Sequence, residues 1–274
     1  MTFEANKESK HILSLEEPLG DNFKILGVEY DCELSMEDAC IDLVNACNWK
    51  VASLLKTRRF HTPAYLLGLY KAQLLGFVEY RTSAIYHATR ETQEPLDNVQ
   101  RRFLKEVGVS EVDALLTFNL APLETRRDMA MLAVIHRAVL RKGPPHLQKF
   151  FKLDTRRTSG HARAVQLPDF GAGKRLLKRT VLGLIPVYNK LPERVVAANT
   201  VKGFQQALQD MVKQWAAAEA ALWQRGLSPR DEAKLVVAAQ RPHHQLDAPP
   251  GTGAVSGCCT CKKKKLKNNP KHKK

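Results

Sequence analysis

The 274-residue sequence lacks most of the patterns by which enzymes and membrane proteins are recognised. No apolar run approaches the roughly 18 residues of a transmembrane helix. There is no phosphate-binding loop ending in Lys-Ser or Lys-Thr, no dinucleotide-binding glycine pattern, no zinc-protease His-Glu pair and no nucleophile elbow. Gly171-Ala172-Gly173-Lys174 is too short to cradle a nucleotide. The sequence therefore predicts no membrane span and no catalytic residue.

Adjacent aspartates are also missing, and two-metal phosphoryl chemistry often uses such a pair to hold divalent ions. The acidic doublets Glu16-Glu17, Glu37-Asp38 and Asp231-Glu232 fall in a turn, in the first turn of a helix and on a helix-like surface. Carboxylates are common at such positions for capping and solubility. We therefore expect no catalytic metal site.

Cysteine is scarce, with six residues in the chain, which is too few for a disulfide framework at this length. Cys32, Cys40 and Cys47 fall in or beside one amphipathic segment, where free thiols behave as small hydrophobes. Cys258 and Cys261 form a Cys-x-x-Cys element, but a second ligand pair is ill-defined and the element is embedded in lysines, so it is only a weak zinc candidate. We expect an intracellular protein, nuclear or cytoplasmic.

The net charge of +15 is concentrated in two blocks. Residues 141–190 carry 12 Lys and Arg against 2 Asp and Glu, and residues 262–274 carry 8 against none, whereas the first 140 residues are net acidic. Phosphates that are neutralised by Lys or Arg release condensed counterions, so a concentration of positive charge favours the binding of a polyanion. Nucleic acid is the first candidate partner and an anionic membrane surface is the second.

Short apolar runs at the N-terminus predict a β-hairpin, with strands at His11–Leu15 and Phe23–Tyr30 around the turn-forming residues 16–22. Helices are predicted by apolar spacings of three and four residues. The first has Ser35 as N-cap and a stripe from Cys40 to Leu55, and the second starts at Thr62-Pro63 and extends to about His87. Three further helices are predicted, at about Glu94–Gly108, at Pro122–Ala138, and from Thr200 through Trp215, continuing as far as Trp223.

Between His146 and Pro192 the periodicity fails, and we expect loops and short helices. Residues 240–257 have the composition of a linker, and the Lys-rich end is expected to be disordered. The fold class predicted from these patterns is mainly α: an N-terminal β-hairpin followed by a helical bundle, with a basic irregular segment and a disordered C-terminal tail.

The order of these elements resembles the C-terminal region of the reverse transcriptases of non-LTR (LINE-like) retrotransposons. The hairpin strand Phe23–Asp31, followed by Leu34-Ser35-Met36, is similar to the strand that ends the palm in that family. Further segments resemble its thumb and post-thumb region: Leu69–Ala72, Val78–Tyr80, Leu96–Leu104, Ala121–Ala130 and Ile135–Arg137. The resemblance covers roughly Lys7 to Gln209, about three quarters of the chain. A single segment is only weakly specific for this family, whereas the ordered set is moderately to strongly specific for it.

The resemblance implies a truncated product: a helical thumb that grips template and primer, without the palm and fingers. It divides the chain into a hairpin remnant of the palm (1–31), a helical thumb-like domain (32–142), a basic and helical post-thumb region (143–226), and a linker with a Lys-rich tail (227–274). The family's metal-binding aspartates lie upstream of the hairpin and have no counterpart here. The resemblance therefore implies an RNA-directed DNA polymerase fragment that is inactive alone and takes no cofactor, with Mg²⁺ bound only if another chain supplies a palm.

The resemblance also implies that the hairpin contacts primer through Phe23, Lys24, Leu26 and Gly27. The charge pattern predicts the phosphate-binding residues, which are Arg156, Arg157, Arg163, Lys174, Arg175, Lys178 and Arg179. The expected partners are RNA or an RNA–DNA hybrid, together with a separate palm-bearing polymerase chain. The alternative is a helical protein-interaction module whose basic block binds an acidic protein or a membrane surface.

Overall fold

The computed structural model describes residues 22–155, 161–167, 174–220 and 222–229, without the side chains of Lys174 and Arg175. The strand predicted at His11–Leu15, the zinc candidate Cys258 and Cys261, and the Lys-rich tail lie outside these residues. The described residues are mainly helical, with one two-stranded antiparallel sheet. None of the helices in these ranges is long and apolar enough to cross a membrane.

The N-terminal half contains the two strands and seven of the helices described here. They are β1 (Asn22–Ile25), β2 (Val28–Asp31), α1 (Glu37–Lys56), α2 (Pro63–Tyr70), α3 (Gly76–Tyr80), α4 (Thr82–Ile85), α5 (Arg90–Val107), α6 (Glu111–Leu116) and α7 (Leu123–Val139), with a 3₁₀ turn at Arg58–Phe60 and a π-helical turn at Lys71–Leu75. The later elements are shorter apart from the last helix. They are α8 (Pro145–Gln148), α9 (Lys174–Arg179), α10 (Ile185–Asn189), α11 (Glu193–Val196) and α12 (Val201–Ala217), with 3₁₀ turns at Val181–Leu184 and Trp223–Arg225.

A hairpin is present, but its strands differ from the prediction, which placed a single strand at Phe23–Tyr30. Residues 23–30 do not form one strand; they fold back on themselves, with Phe23 opposite Tyr30 and Ile25 opposite Val28. The two-residue turn is Leu26-Gly27, with φ of 50° and 78°. Both values are left-handed, as the type I′ turns that suit the twist of a hairpin require. The prediction failed because Leu26 is not a turn-forming residue type.

Helix α1 confirms the predicted stripe, since Cys40, Leu43, Cys47 and Val51 are all buried. Burial raises the pKa of both thiols to about 11, so they remain protonated and apolar. The predicted N-cap is wrong. Ser35 does not occupy that position; Met36 does, in a left-handed conformation and with no side-chain cap.

The carboxylate of Asp31, at the end of β2, accepts hydrogen bonds from the backbone amides of Ser35 (2.7 Å) and Met36 (2.8 Å). Burial opposes the charged form of Asp31, but these amides outweigh it and hold the pKa of this carboxyl below its usual value. The hairpin is thereby tied to the start of α1.

Helices α2 and α3 form one continuous rod across the π-helical turn. Its predicted start is confirmed: the Thr62 hydroxyl accepts from the Tyr65 amide (3.3 Å), and Pro63 occupies the first turn. The π turn adds one residue per turn and directs the Lys71 ammonium to the carbonyl of Phe118 in the α6–α7 connection. The rod ends at Tyr80, before the predicted His87, and α4 follows as a separate short helix.

The buried face of α5 carries polar side chains that each bond to another element. Gln93 donates through Nε2 to the carbonyls of Ile85 (2.7 Å) and Tyr86 (3.0 Å), and Gln100 donates to the carbonyl of Ala121 (3.1 Å). Asp97, between them, receives two parallel hydrogen bonds from the guanidinium of α7 residue Arg127, both at 2.8 Å. The side chains of this pair are only 4% (Arg127) and 11% (Asp97) exposed. The predicted left-handed cap at Gly108 is confirmed, with φ of 75°.

Two hydrophobic clusters form the interior, and α7 contributes to both. Its first residue, Leu123, packs in the cluster built mainly from α1, the α2–α3 rod and α5. Its later residues Leu132 and Ile135 pack in the cluster that includes α10, α11 and α12. The predicted limits of this helix, Pro122 to Ala138, are confirmed to within a residue.

The second cluster contains a buried histidine, His136, whose ring is stacked on Phe204 with centroids 4.0 Å apart. Its Nε2 lies 2.9 Å from the carbonyl of Ala198 and its Nδ1 lies 2.9 Å from the Tyr188 hydroxyl. A carbonyl only accepts, so Nε2 carries the proton and Nδ1 accepts from Tyr188. Helix α12 supplies Phe204 and confirms the predicted apolar stripe, but it ends at Ala217 and does not continue to Trp223.

We expect Asp97→Asn to lower the free energy of unfolding by about 3–5 kcal/mol, because the buried Arg127 charge would lose the carboxylate that pairs with it through two hydrogen bonds. Urea denaturation measures this change. Arg101→Gln is the control: Arg101 pairs at the surface with Glu94 (3.9 Å), and its loss changes stability by less than about 1 kcal/mol. Replacing both buried partners, Asp97→Leu with Arg127→Met, recovers most of the loss. A loss in Asp97→Asn no larger than that of the surface control contradicts the assignment.

Stability is also expected to fall in mild acid. Burial, reinforced by the Arg163 charge, lowers the pKa of His136, with the Ala198 carbonyl opposing. As the pH falls, His136 is therefore protonated in the unfolded chain at a higher pH than in the folded protein. The contribution of neutral His136 to the free energy of unfolding is complete above about pH 6.5 and is lost as the pH falls toward the lower pKa of the folded state. His136→Gln should flatten the stability–pH curve in that window relative to the parent protein. His87, whose pKa is also lowered, is present in both proteins and cancels in the comparison. Identical slopes would refute the role of His136.

Candidate nucleic-acid interface

The predicted phosphate-binding residues occupy different environments. Arg156 and Arg157 lie outside the described residues, and Lys174 and Arg175 are helical in backbone at the start of α9. Lys178 is exposed and Arg179 is half-buried on the same helix. Burial lowers the pKa of His87, and the charge of Arg179 contributes in the same direction.

Arg163 lies elsewhere, and its guanidinium bonds within the protein. Nη1 donates to the carbonyls of Val196 and Ala198, both at 2.6 Å, and Nη2 donates to Oδ1 of Asn199 (2.7 Å). Lys142 donates to the Asn199 carbonyl as well (2.9 Å). These contacts hold the connection between α11 and α12, and they leave Arg163 fewer free donors for a phosphate.

The hairpin residues expected to contact primer are accessible. Phe23 is 42% exposed and stacks on Tyr30 with ring centroids 5.4 Å apart, and Leu26 is 78% exposed at the tip of the turn. The tip is tied to the end of α3, where the Tyr80 hydroxyl donates to the Leu26 carbonyl (3.1 Å). A non-glycine residue in the left-handed region costs free energy, and Leu26 gains no burial in return.

A groove of about 260 Å³ separates the hairpin from α1 and α3. Lys24, Gly27 and Arg81 line it, together with the carboxylates Glu29 and Asp42. Phe77, also in its wall, has Arg81 Cζ at 4.2 Å and Lys50 Nζ at 5.2 Å from its ring centroid. Positive and negative side chains balance in this groove, so it does not by itself concentrate a polyanion.

A second basic segment extends from α1 through α2 into α3, and the charge count over residues 1–140 concealed it. Residues 43–78 contain five Lys and Arg and no Asp or Glu. We call residues 56–65 of this segment the basic corner. Its exposed cations are Lys56, Arg58 and Arg59. A charge count in a shorter window would have found it in the sequence.

One cation of the basic corner forms an ion pair with a carboxylate from another helix. Arg58 pairs with Glu106 of α5, and these side chains are 50% and 44% exposed. Within the part of the chain that the structure describes, Lys56 and Arg59 form no ion pair. The basic corner therefore keeps two unopposed cations at the surface, where a phosphate can reach them.

A metal-dependent reaction has no evident site among these residues. In the described ranges no group of three His, Cys, Asp or Glu side chains converges as a metal site requires. The residues described therefore do not fit the Mg²⁺ site of the resembled family.

The hairpin turn provides a test of the local geometry. We expect Leu26→Asn to raise the local stability of the hairpin by about 0.5–1 kcal/mol, because Asn tolerates left-handed φ and Asn-Gly is the preferred type I′ pair. Slower hydrogen exchange of the hairpin amides measures it. Gly27→Ala should do the opposite, since φ is +78° and no atom lies within 4 Å of an added Cβ, so the effect is purely conformational. Faster exchange in Leu26→Asn would contradict the turn assignment.

Comparison with models of protein families, with curated proteins and with solved structures found no match for this chain. The function proposed for it therefore depends on the residues and geometry given above.

Proposed function

We propose that this chain is similar to the C-terminal region of a non-LTR retrotransposon reverse transcriptase and binds RNA or an RNA–DNA hybrid, and that these 274 residues contain no polymerase active site. The observation that carries the proposal is the distribution of charge. Residues 141–190 have ten net positive charges, and residues 43–78 have five with no acidic residue between them. Such surfaces repel themselves unless an anion neutralises them.

The packing of the resemblance segments supports the same proposal. Two of them, Leu96–Leu104 and Ala121–Ala130, contain the two partners of the buried ion pair, Asp97 and Arg127. A third, Leu69–Ala72, contains Tyr70, which stacks on Phe103 with centroids 4.6 Å apart. These three segments therefore pack in one helical core, in which Leu96–Leu104 contacts the other two.

Several exposed cations are available for sequence-tolerant binding. In the basic block, residues 141–190, they include Lys149, Lys152, Lys178 and Lys190, and in the basic corner they include Lys56 and Arg59. Contacts from such side chains to phosphates position a nucleic acid without reading its bases. The proposed activity is therefore gripping of a nucleic-acid backbone, with affinity that falls steeply as salt rises.

We expect fluorescence anisotropy with labelled RNA, measured at several salt concentrations, to give a linear decrease of log affinity with log salt. Neutralising Arg156, Arg157, Lys174 and Arg175 to Gln should reduce the slope by about 0.7 to 0.9 for each phosphate that these side chains no longer neutralise. A matched set of four cations outside the block controls for net charge and should leave the slope nearly unchanged: Lys105, Arg194, Lys202 and Lys213. Absence of binding at low salt, or magnesium-dependent primer extension by the chain alone, would overturn the proposal.

A second candidate function is a module that binds an acidic protein or a membrane surface. One observation favours it: every residue of β1 is exposed, including the apolar Phe23 and Ile25. Competition separates the two functions. Polyglutamate or acidic lipid vesicles that displace RNA at matched charge would favour the second, because neither competitor offers nucleotide bases.

A further inference from the structure

The basic corner combines its cations with aromatic rings that the fold leaves uncovered. Phe60 is 82% exposed and Tyr65 is 53% exposed. The ring of His61 lies against Tyr65, with centroids 4.5 Å apart and planes 31° apart. Single exposed apolar side chains are ordinary, but here three rings lie within six residues of the chain, next in sequence to the exposed cations Lys56 and Arg59.

The backbone of the basic corner is fixed on both sides. Thr57 ends α1 with its hydroxyl bonded to the Leu54 carbonyl (2.8 Å), and its own carbonyl accepts from the Phe60 amide (2.9 Å). On the other side, the Thr62 cap and Pro63 begin α2. Rings held on a pre-formed turn lose little conformational entropy when a ligand binds.

Ring faces and cations recognise two different parts of one ligand class. An aromatic face stacks on a nucleotide base only where the base is unpaired, since a base inside a duplex is already covered on both faces. The cations neutralise the phosphates that flank that base. An acidic peptide would satisfy the cations and leave the rings uncovered.

We infer that the basic corner binds unpaired nucleotides, with Phe60 and Tyr65 stacking on bases while Lys56 and Arg59 contact the adjacent phosphates. This inference rests on the proposed function and specifies its ligand: single-stranded RNA or DNA, or the unpaired stretch beside a duplex. Neither the basic block of residues 141–190 nor the hairpin is needed for this contact.

The test compares a labelled oligouridylate with a labelled RNA duplex of the same length, by anisotropy on the full chain. Phe60→Leu keeps an apolar side chain and removes the ring, so it should weaken oligouridylate binding roughly tenfold and leave duplex binding unchanged. Phe60→Trp keeps a ring and should retain the parent affinity. Leu116→Ala, which also alters an exposed apolar side chain (39%), should change neither affinity. Because Phe60 is largely solvent-exposed, the thermal midpoint should be equal in the parent protein and the two Phe60 variants.

An abasic strand separates stacking from charge. It carries the same phosphates without bases, so the parent protein should bind it more weakly than Phe60→Leu binds oligouridylate, because Tyr65 also loses its base. On the abasic strand, Phe60→Leu and the parent protein should bind equally. Equal weakening of single strand and duplex by Phe60→Leu, or no weakening of either, overturns this inference and leaves the proposed function standing. Failure of the parent protein to bind either nucleic acid overturns both. Displacement of oligouridylate by phosphatidylserine vesicles, equally in parent and Phe60→Leu, would assign the corner to a membrane surface and overturn the inference.

Discussion

Arg127 and Asp97 meet where almost no water reaches them, and the rest of the described structure is arranged around that contact. A buried guanidinium is tolerated only if a carboxylate in good geometry compensates for its lost hydration, and here two parallel hydrogen bonds do so. The pair fixes α5 against α7. Because α7 continues from the first hydrophobic cluster into the second, the orientation of this single helix determines how the two clusters join.

Bonds within the protein also determine which positive charges remain available to a ligand. Arg163 and Lys142 hold the connection between α11 and α12, and Arg58 pairs with Glu106. The groove beside the hairpin contains acids and bases in balance. Lys56 and Arg59 have no such internal partner among the described residues, and exposed rings lie beside them. The proposed ligand contact is therefore a surface where exposed cations that the described residues leave without an ion pair occur next in sequence to exposed rings.

Much of the fold follows from patterns that are local in sequence. The apolar stripe of α1, the Thr62-Pro63 start of α2 and the Gly108 cap each depend on residues within a few positions, and each was predicted correctly. The strand predicted at Phe23–Tyr30 was wrong because the chain turns within it, where a leucine takes a left-handed turn position. The Ser35 cap was wrong because Asp31, from the preceding strand, holds the backbone amides of Ser35 and Met36, and the helix begins one residue later with Met36 at the N-cap.

Sequence by itself determined the helical class, the absence of an aspartate pair and the strong positive balance of two blocks, because composition and periodicity are properties of the chain alone. It also contains the acid-free stretch of residues 43–78, although an average over 140 residues hid it. Only the tertiary structure decided that Asp97 and Gln100 face inward, that Arg163 bonds to the backbone and that Phe60 remains exposed. Each depends on which partner another element brings within hydrogen-bonding or packing distance, and no local pattern encodes that distance.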